Sequence, residues 1–428
     1  MGDRIVVRRA TVAGEVRPPS DKSLTHRAIM LGSLARPGSE TQITHPLDGE
    51  DCQATAEIME AVGASRIERR GESWIVRSLG NWQSPSTPLS CGNSGTTMRL
   101  LAGICASQEN FAVTLVGDES LSKRPMRRIT EPLRQMGASI TGDQAPLEIT
   151  GGLLQGISYA TPMASAQVKS CLLLAGCRAE GTTTITEPSP TRDHTERMLS
   201  ALGAQLVRYA DCQVSISGGQ SWSGFEFRVP GDISSAAFWL VAAAIAGRDN
   251  LTISEVGLNP TRIGVLDVLQ QVGVKMSVTL EPERLGEPVG SITIQPGVGL
   301  CPFVIEGVLV PRLIDEIPVL CVLATQCEGT SVIRNAEELR HKESDRIAEM
   351  AAGLTAMGAD VEVFEDGLRI TGPTPLTGQC HTVNKDHRIA MALAIAGLIA
   401  EGETIIDGAE TIRTSYPNFE KHLHELTQ

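Results

Sequence analysis

The sequence repeats one pattern of helix and strand along most of its length, and this repeat limits the folds open to the chain. Five segments each read as an amphipathic run, then a turn of small residues that contains glycine, then a strand: 56–64, 129–138, 195–204, 265–274 and 350–359. Apolar residues recur at helical spacing in each run, and the glycine suits the cap of a helix C-terminus. The repeat therefore predicts a small α/β unit that recurs along the chain.

A second type of helix alternates with the first and is almost uniformly small and apolar. Its copies begin near Ser23, Gly95, Ser165, Ser234, Asp315 and Asp386. A helix that is apolar on all sides belongs inside a domain. Six such helices in 428 residues give one unit for about every 71 residues (428/6), and a chain of this length fits two domains. We therefore predict an α/β fold of two domains, each with three repeated α/β units and buried helices.

Composition excludes several classes of partner. The net charge of −13 argues against nucleic acid, which is bound through basic surface. No N-terminal segment has the pattern of a signal peptide, and the apolar run 234–246 is too short to cross a membrane. The ten cysteines include no C-x-x-C pair, which favours buried free thiols in a reducing compartment. We expect a cytoplasmic protein that binds neither nucleic acid nor membrane.

Polar and charged residues gather where the apolar helices begin. Free N–H groups and the positive end of the helix dipole make such a place an anion site. Ser, Asp and Asn are also ordinary N-caps, and for any single helix capping is the simpler interpretation. Six such starts together, several beside Lys or Arg in an acidic protein, favour a small and strongly anionic ligand.

Three segments concentrate this chemistry: 18–27 (PPSDKSLTHR), 91–100 (CGNSGTTMRL) and 121–128 (LSKRPMRR). The first places Lys22, Ser23 and Arg27 on one helical turn and face, where two cations would repel each other weakly without an anion. The second contains glycine, which lets a backbone approach an anion closely. Each has a simpler alternative, namely a solvated basic turn, an ordinary glycine loop and an exposed basic loop.

Taken in chain order, seven motifs resemble those of the 3-phosphoshikimate 1-carboxyvinyltransferase family, the enolpyruvylshikimate-phosphate synthases. They are DKSLTHR, GNSGTTMRL, LSKRPM, SAQVKS, DEIP, KESDR and DHRIAMA, and the resemblance runs from residue 18 to Pro417. The family fold has two domains of three similar α/β units, and the chain crosses between them twice. The resemblance thus implies one domain of residues 1–19 plus 230–428, another of residues 20–229, and an active site in the cleft between them.

The resemblance also implies an activity. Members of the family transfer the enolpyruvyl group of phosphoenolpyruvate to the 5-hydroxyl of shikimate 3-phosphate and release phosphate, a step of aromatic amino-acid biosynthesis that glyphosate inhibits. The reaction needs no metal and no organic cofactor, and His194, His341 and His387 lack the spacing of metal ligands. We expect a monomer whose partners are these two small substrates.

Site residues follow from the resemblance, position by position. The residues that match the shikimate 3-phosphate site are Lys22, Ser23, Arg27, Ser165, Ala166, Gln167, Arg192, Asp315 and Lys342. Those that match the phosphoenolpyruvate site are Lys22, Asn93, Gly95, Arg124, Gln167, Arg346 and Arg388. Arginine suits both sites because its planar fork pairs with carboxylate and phosphate through two hydrogen bonds.

Three of the residues are expected to be catalytic: Asp315, Glu343 and Lys22. Asp315 matches the group that accepts the hydroxyl proton, and Glu343 matches the group that protonates carbon C3 of the enol. Lys22 is expected to offset the negative charge that develops during the reaction. The simpler interpretations are an N-cap for Asp315 and an exposed intrahelical ion pair with Arg346 for Glu343.

The sequence departs from the family pattern at two places. Ala166 stands where many members carry a second serine, so one hydrogen bond to phosphate is absent. Thr414 stands where some members carry a lysine that binds phosphate, and we assign no such role here.

Two other functions are compatible with parts of the sequence. The related enolpyruvyl transferase that acts on UDP-N-acetylglucosamine has Lys-Asn where this chain has Lys22-Ser23. It also has a reactive cysteine on a mobile loop, whereas residues 117–128 contain none. A non-catalytic anion-binding module would have lost Asp315 or Glu343, and both are present. The motifs favour shikimate 3-phosphate over both alternatives.

Overall fold

A computed structural model describes residues 3–210, 212–383 and 385–427 of the chain. The chain divides into two compact units. The first unit consists of Met1–Pro19, Pro230–Pro282 and Pro288–Gln428, and the second of Ser20–Val229 and Glu283–Glu287. The short segment Glu283–Glu287 groups with the second unit although it lies far along the chain, a detail that the repeat does not predict.

Helices of two kinds alternate along the chain, as the repeat predicts. In the described part of the chain the α-helices are α1 Lys22–Ser33, α2 Glu50–Ala61, α3 Gly95–Ala106, α4 Arg127–Gln135, α5 Ala166–Gly176, α6 His194–Ala201, α7 Ile233–Ala246, α8 Gly264–Gln271, α9 Ile317–Ala324, α10 Arg346–Ala356, α11 His387–Gly397 and α12 Phe419–Leu426. The odd-numbered helices are the apolar ones. Helix α12 is an amphipathic helix that the sequence pattern did not identify.

Most strands are short, and in the described residues they form six small sheets. They are β1 Arg4–Arg8, β2 Val12–Val16, β3 Glu40–Thr44, β4 Ser65–Arg70, β5 Ser73–Ser78, β6 Leu89–Ser90, β7 Ala112–Val116, β8 Ser139–Thr141, β9 Leu147–Thr150, β10 Ser158–Ala160, β11 Thr182–Thr186, β12 Leu206–Tyr209, β13 Gln213–Ser217, β14 Glu226–Arg228, β15 Gly247–Gly257, β16 Met276–Arg284, β17 Glu287–Ile294, β18 Val304–Ile305, β19 Gly329–Ile333, β20 Asp360–Phe364, β21 Gly367–Gly372, β22 Cys380–Thr382 and β23 Glu403–Asp407.

Three of the sheets have the same connectivity. In the order β6-β7-β9-β8, an edge strand runs parallel to the next strand and a hairpin completes the sheet. A parallel pair needs a crossover connection, and the apolar helix α3 supplies it. The sheets β10-β11-β13-β12 and β18-β19-β21-β20 repeat this order around α5 and α9. Each of these three units is thus one βαβ crossover and one hairpin, whereas the sheet β1-β23-β22 has three strands.

Two edge strands come from distant parts of the sequence. Strand β2 precedes α1 but pairs in parallel with β15, with Gly14 opposite Leu251. Strand β14 precedes α7 but pairs in parallel with β3, with Phe227 opposite Ile43. At each passage between units the last strand therefore remains in the unit that the chain is leaving.

Each unit encloses its own apolar core. The core of the second unit surrounds α1, α3 and α5, and that of the first unit surrounds α7, α9 and α11. Helices α3 and α5 approach closely at Gly103, where an added Cβ would lie 2.3 Å from the carbonyl oxygen of Cys171. The ten cysteines are free thiols, and seven of them are buried. In the part of the chain that the structure describes, no helix is long and apolar enough to cross a membrane.

The ends of the helices agree with the sequence signals in most places. Glycine in the left-handed conformation follows five of the amphipathic helices: Gly63, Gly137, Gly203, Gly273 and Gly358. Side-chain N-caps begin four of the apolar helices: Asp21, Ser94, Asp232 and Asp386.

One expected cap is wrong. Helix α9 begins at Ile317 and its N-cap position is Glu316, so Asp315 does not cap it. Pro318 at the start of α9 fixes the first turn. The Asp315 carboxylate instead turns toward cationic side chains, described below.

Candidate active site

The start of α1 in the second unit carries three of the predicted site residues. Asp21 caps the helix by accepting a hydrogen bond from the N–H of Leu24, at 2.9 Å. This cap fixes the first turn, which presents Lys22 and Ser23, both partly exposed. The ammonium group of Lys22 lies 2.9 Å from a carboxylate oxygen of Asp51. Sequence reasoning missed Asp51, which sits at the start of the amphipathic helix α2.

Arg27 is one turn further along α1 and is buried. Its guanidinium group donates to the hydroxyl of Thr195 at 2.7 Å, to that of Ser170 at 2.8 Å, and to the carbonyl oxygen of Ser23 at 3.0 Å. Burial lowers the pKa of Arg27 to about 10, so the group stays charged at neutral pH. Its guanidinium is therefore a fixed cation.

A second group of predicted residues surrounds the start of α3. Arg124 donates to the amide oxygen of Asn93 at 2.7 Å, and the Asn93 amide donates to Asp118 at 2.8 Å. A Cβ placed on Gly95 would lie 3.5 Å from Nη1 of Arg124 and 3.1 Å from Nη1 of Arg99. These two guanidinium nitrogens are therefore at most 6.6 Å apart (3.1 + 3.5). Convergence of two cations at a glycine favours binding of an anion there.

Gln167 joins this group from the first turn of α5. Arg99 donates to its amide oxygen, and its amide nitrogen donates to the hydroxyl of Thr96 at 3.0 Å. The amide is thus fixed in one orientation. Ser165 and Ala166 precede it at the start of α5, and the Ser165 side chain makes no capping hydrogen bond. We call Asn93, Gly95, Arg99, Arg124 and Gln167 the Arg124 cluster.

Arg192 lies just before α6 and is partly exposed. Among the influences on the pKa of Arg27, burial is the largest, and the charge of Arg192 acts in the same downward direction. Carboxylates act on Arg27 as well, among them Glu196 and Asp21, whose charges raise its pKa. Guanidinium groups such as these two pair with phosphate through two hydrogen bonds.

In the first unit, Arg346 at the start of α10 gathers three carboxylates. Its Nη1 donates to Asp315 at 3.2 Å, its Nη2 to Glu343 at 2.6 Å, and its Nε to Asp386 at 2.8 Å. The Arg346 side chain is 1% exposed, as is that of Asp386, while Glu343 is 21% exposed. Three separate elements thus converge on one guanidinium group.

Asp315 also faces two further cations. The ammonium group of Lys342 lies 3.6 Å from its Oδ1, and Nε of Arg388 lies 4.0 Å from the same atom. Arg388 also donates to the backbone carbonyl of Asp315 at 3.2 Å. We call Asp315, Lys342, Glu343, Arg346, Asp386 and Arg388 the Arg346 cluster.

The ion pairs in this cluster oppose the effect of burial. Burial favours the neutral forms, but the charges of Asp386, Glu343 and Asp315 raise the pKa of Arg346. Burial favours the neutral form of Asp386 as well and raises its pKa. The charge of Arg346 and the hydrogen bond from Arg346 outweigh burial, so the pKa of Asp386 lies below its ordinary value. Asp386 is therefore a buried anion that fixes the position of the Arg346 guanidinium group.

Two expectations about this cluster change. Glu343 pairs with Arg346, but it precedes α10, which begins at Arg346, so the pair is not an exposed intrahelical one. The sequence marks Asp386 only as a helix start, yet this residue both caps α11 and holds Arg346. A buried carboxylate beside an arginine has no signal in a sequence, because the contact joins residues 40 positions apart.

The described residues include no group of three His, Cys, Asp or Glu side chains arranged to hold a metal ion. A surface cavity of about 370 Å³ lies at the far end of α3 from Gly95, where Ser107, Gln108 and Arg178 line it. It contains none of the predicted site residues.

Comparison with known proteins identifies the family. The model of EPSP synthase (3-phosphoshikimate 1-carboxyvinyltransferase) matches residues 6–423. The chain belongs to the EPSP synthase family. A curated 3-phosphoshikimate 1-carboxyvinyltransferase from Synechococcus sp. (strain JA-3-3Ab) is 50% identical to it over 420 residues, which are 96% of this chain and 94% of the relative.

Solved structures agree with this family and with the fold. An EPSP synthase from Acinetobacter baumannii superposes with a TM-score of 0.88 at 42% identity, and the match covers 100% of this chain and 98% of that one. The enolpyruvyl transferase NikO from Streptomyces tendae has a TM-score of 0.80 at 19% identity, covering 100% and 98%. NikO supports the fold alone. The predicted fold of two domains with three α/β units each is confirmed, and the relatives favour shikimate 3-phosphate over the UDP-N-acetylglucosamine alternative.

Proposed function

We propose that this chain transfers the enolpyruvyl group of phosphoenolpyruvate to the 5-hydroxyl of shikimate 3-phosphate by addition and elimination, and that both polar clusters serve this reaction. The observation that carries the proposal is the pairing of Asp315 and Glu343 by one guanidinium group, that of Arg346. Addition and elimination need a proton removed at one atom and delivered at another, and two carboxylates held by a shared cation suit that demand.

In the addition step, the oxygen of the 5-hydroxyl bonds to C2 of phosphoenolpyruvate, and Asp315 accepts the proton that this hydroxyl loses. Glu343 delivers a proton to C3, which becomes a methyl group in a tetrahedral intermediate. In the elimination step, C3 returns its proton to Glu343 and the bond from C2 to the phosphate oxygen breaks. The phosphate leaves with the proton that Asp315 accepted, so both carboxyl groups return to their starting states. Lys342 and Arg388 surround Asp315 and favour its ionised, proton-accepting form.

The cationic side chains of the second unit supply binding in this scheme. Arg27 and Arg192, with Ser23 and the start of α5 at Ser165, hold the phosphate and hydroxyls of shikimate 3-phosphate. Arg124 and Gln167 hold the carboxylate and phosphate of phosphoenolpyruvate. Backbone N–H groups at the start of α3, which Gly95 leaves uncovered, add to this anion site.

Lys22 serves both substrates in the proposal. Its ion pair with Asp51 fixes the ammonium group at the start of α1. Bound phosphate competes with Asp51 for this group, and the ammonium charge then stabilises the oxyanion of the leaving phosphate.

A direct assay tests the proposal. The purified chain is mixed with both substrates, and released phosphate and the mass of the enolpyruvyl product are measured. Omission of either substrate should abolish phosphate release. Replacement of shikimate 3-phosphate by UDP-N-acetylglucosamine should give no product, and turnover with the sugar nucleotide instead would overturn the assignment. We also expect a monomeric, cytoplasmic enzyme, which sedimentation and cell fractionation would check.

A further inference from the structure

A cluster of buried, charged side chains is centred on Lys169, which lies on α5 one helical turn after Ser165. The ammonium group of Lys169 is 2.6 Å from Glu187 and 2.8 Å from Glu196, and the three side chains are only 5%, 3% and 3% exposed. Burial of a charge costs several kcal/mol, and apolar side chains of similar size often stabilise a protein as well or better. Stability alone therefore does not explain this Lys169 cluster.

The cluster fixes the residues around Arg192. The hydroxyl of Thr191 donates to Glu187 at 2.5 Å, and the ammonium group of Lys169 lies 3.5 Å from the carbonyl oxygen of Thr191. On the other side, Asp193 accepts from Arg197 at 2.8 Å. Arg192 thus lies between two anchored neighbours, so the direction of its backbone is set.

Helices α5 and α6 also hold Arg27, through the residues next to Lys169 and Glu196. Ser170 follows the cluster lysine on α5, and Thr195 precedes the cluster glutamate on α6. Their hydroxyls are 2.7 Å apart, and both accept from the Arg27 guanidinium. A shift of α6 relative to α5 would therefore move the anchors of Arg27 and Arg192 together.

Lys169 carries one positive charge between two glutamates, and the charge of Glu196 also acts on Arg27. Within the described residues, Oε2 of Glu196 accepts no hydrogen bond. Burial raises the pKa of Glu196, and the charge of Lys169 opposes that shift. Loss of Lys169 alone would leave two buried carboxylates without their cation.

We propose that Lys169, Glu187 and Glu196 form a positioning cluster that sets the geometry of Arg27 and Arg192 for the phosphate-bearing acceptor substrate. This inference rests on the proposed function. The three residues do not touch the substrate and act through the two arginines. Their effect should therefore fall on shikimate 3-phosphate and spare phosphoenolpyruvate, because neither Arg27 nor Arg192 is among its predicted contacts.

The test is the charge-matched double variant Lys169→Met/Glu196→Gln in the full-length chain. We expect the KM for shikimate 3-phosphate to rise by about 10- to 100-fold, the value of a lost hydrogen bond to a charged group. The KM for phosphoenolpyruvate should change by less than about twofold, because only the binding of shikimate 3-phosphate is weakened. Glu196→Gln alone keeps the shape and a neutral acceptor for Lys169, so it should fold and show a smaller change of the same kind.

Ile185→Ala provides the matched control. Ile185 is fully buried on β11, two residues before Glu187, and its side chain is apolar. This control should lower the thermal midpoint but leave the KM for shikimate 3-phosphate unchanged. Three outcomes overturn the inference: both Michaelis constants rise in proportion, neither rises in a folded variant, or the control raises the KM for shikimate 3-phosphate as well. Absence of turnover by the wild-type chain would instead contradict the proposed function.

Discussion

The two polar clusters differ in the side chains that orient their arginines. The Arg346 cluster has three carboxylates (Asp315, Glu343, Asp386) around three cations (Lys342, Arg346, Arg388). The Arg124 cluster has two guanidinium groups, and their hydrogen-bond partners include two amides, Asn93 and Gln167. An amide orients an arginine through a hydrogen bond and adds no charge of its own. A carboxylate adds a negative charge and a group that can exchange protons.

We therefore propose that the carboxylates of the Arg346 cluster transfer protons, while Arg346 and Arg388 keep their predicted contacts with phosphoenolpyruvate. The strongest test removes one carboxylate. We expect Asp315→Ala to lower turnover by a factor of about 10² to 10⁴, the contribution typical of a positioned acid–base group. Steady-state phosphate release measures it.

Asp366→Ala is the control for this change. Asp366 pairs with Arg334 at 3.0 Å in the same unit and takes no part in the Arg346 cluster. Its variant should keep turnover near that of wild type. A folded Asp315→Ala protein with turnover within threefold of wild type would contradict the role of Asp315.

The second prediction compares the stability of the two arginines. Arg346→Met should reduce the free energy of unfolding by about 3–5 kcal/mol, because three carboxylates lose a buried cation. Arg124→Met should cost less than about 1 kcal/mol, because Arg124 is partly exposed and water screens contacts at such sites. Urea unfolding of both variants decides the matter, and equal losses would show that the clusters do not differ as described.

The third prediction sharpens the picture of the Arg124 cluster. A Cβ at residue 95 would meet the ends of the Arg99 and Arg124 side chains, which can shift. Gly95→Ala should therefore tolerate phosphoenolpyruvate but crowd glyphosate, a slightly longer anion, by about 1–3 kcal/mol more. The measurement is the inhibition constant and the Michaelis constant on both proteins. Proportional changes in the two constants would show that residue 95 does not border the inhibitor.

The fourth prediction uses pH and has the smallest expected effect. The lowered pKa of Asp386 in the folded state means that its ion pair stabilises the protein above the unfolded pKa of about 3.9 and that this contribution is lost as pH falls through the folded pKa. Asp386→Asn should cost more at pH 7 than at pH 3, by at most about 1.3 kcal/mol, because pH 3 lies less than one unit below the unfolded pKa. Urea unfolding at both pH values measures it, and a cost independent of pH would rule out a stabilising charge on Asp386.

Sequence reasoning located the apolar helices well because their signal is local. The expected starts at Gly95 and Asp386 lie within one residue of the observed helices. At α9 it failed, because a proline and a preceding turn moved the cap from Asp315 to Glu316. Helix α12 does not match the repeat, because within the described residues no glycine turn and strand follow it.

The supporting residues of the site could not be predicted in this way. The resemblance supplied Arg346 and Asp315, but not Asp386 behind Arg346 or Asp51 beside Lys22. These carboxylates matter through contacts between elements, such as Lys22 with Asp51, which lies 29 residues away. Spacing within one helix carries no information about such contacts. The roles of the site residues remain predictions until the variants are measured.

The pairing of the first strands has a consequence for the order in which the protein is completed during synthesis. Every strand of the second unit's sheets lies between residues 40 and 228, so those sheets are complete once that stretch has left the ribosome. Strand β2 cannot pair until β15 has been synthesised. Strand β1 cannot pair until β23 has been synthesised, with Arg4 opposite Asp407. Residues 4–16 are thus made long before the strands that they pair with, and long-range pairings of this kind are slow to form. A truncated chain without residues 4–16 would lose strands from two sheets of the first unit and none from the second.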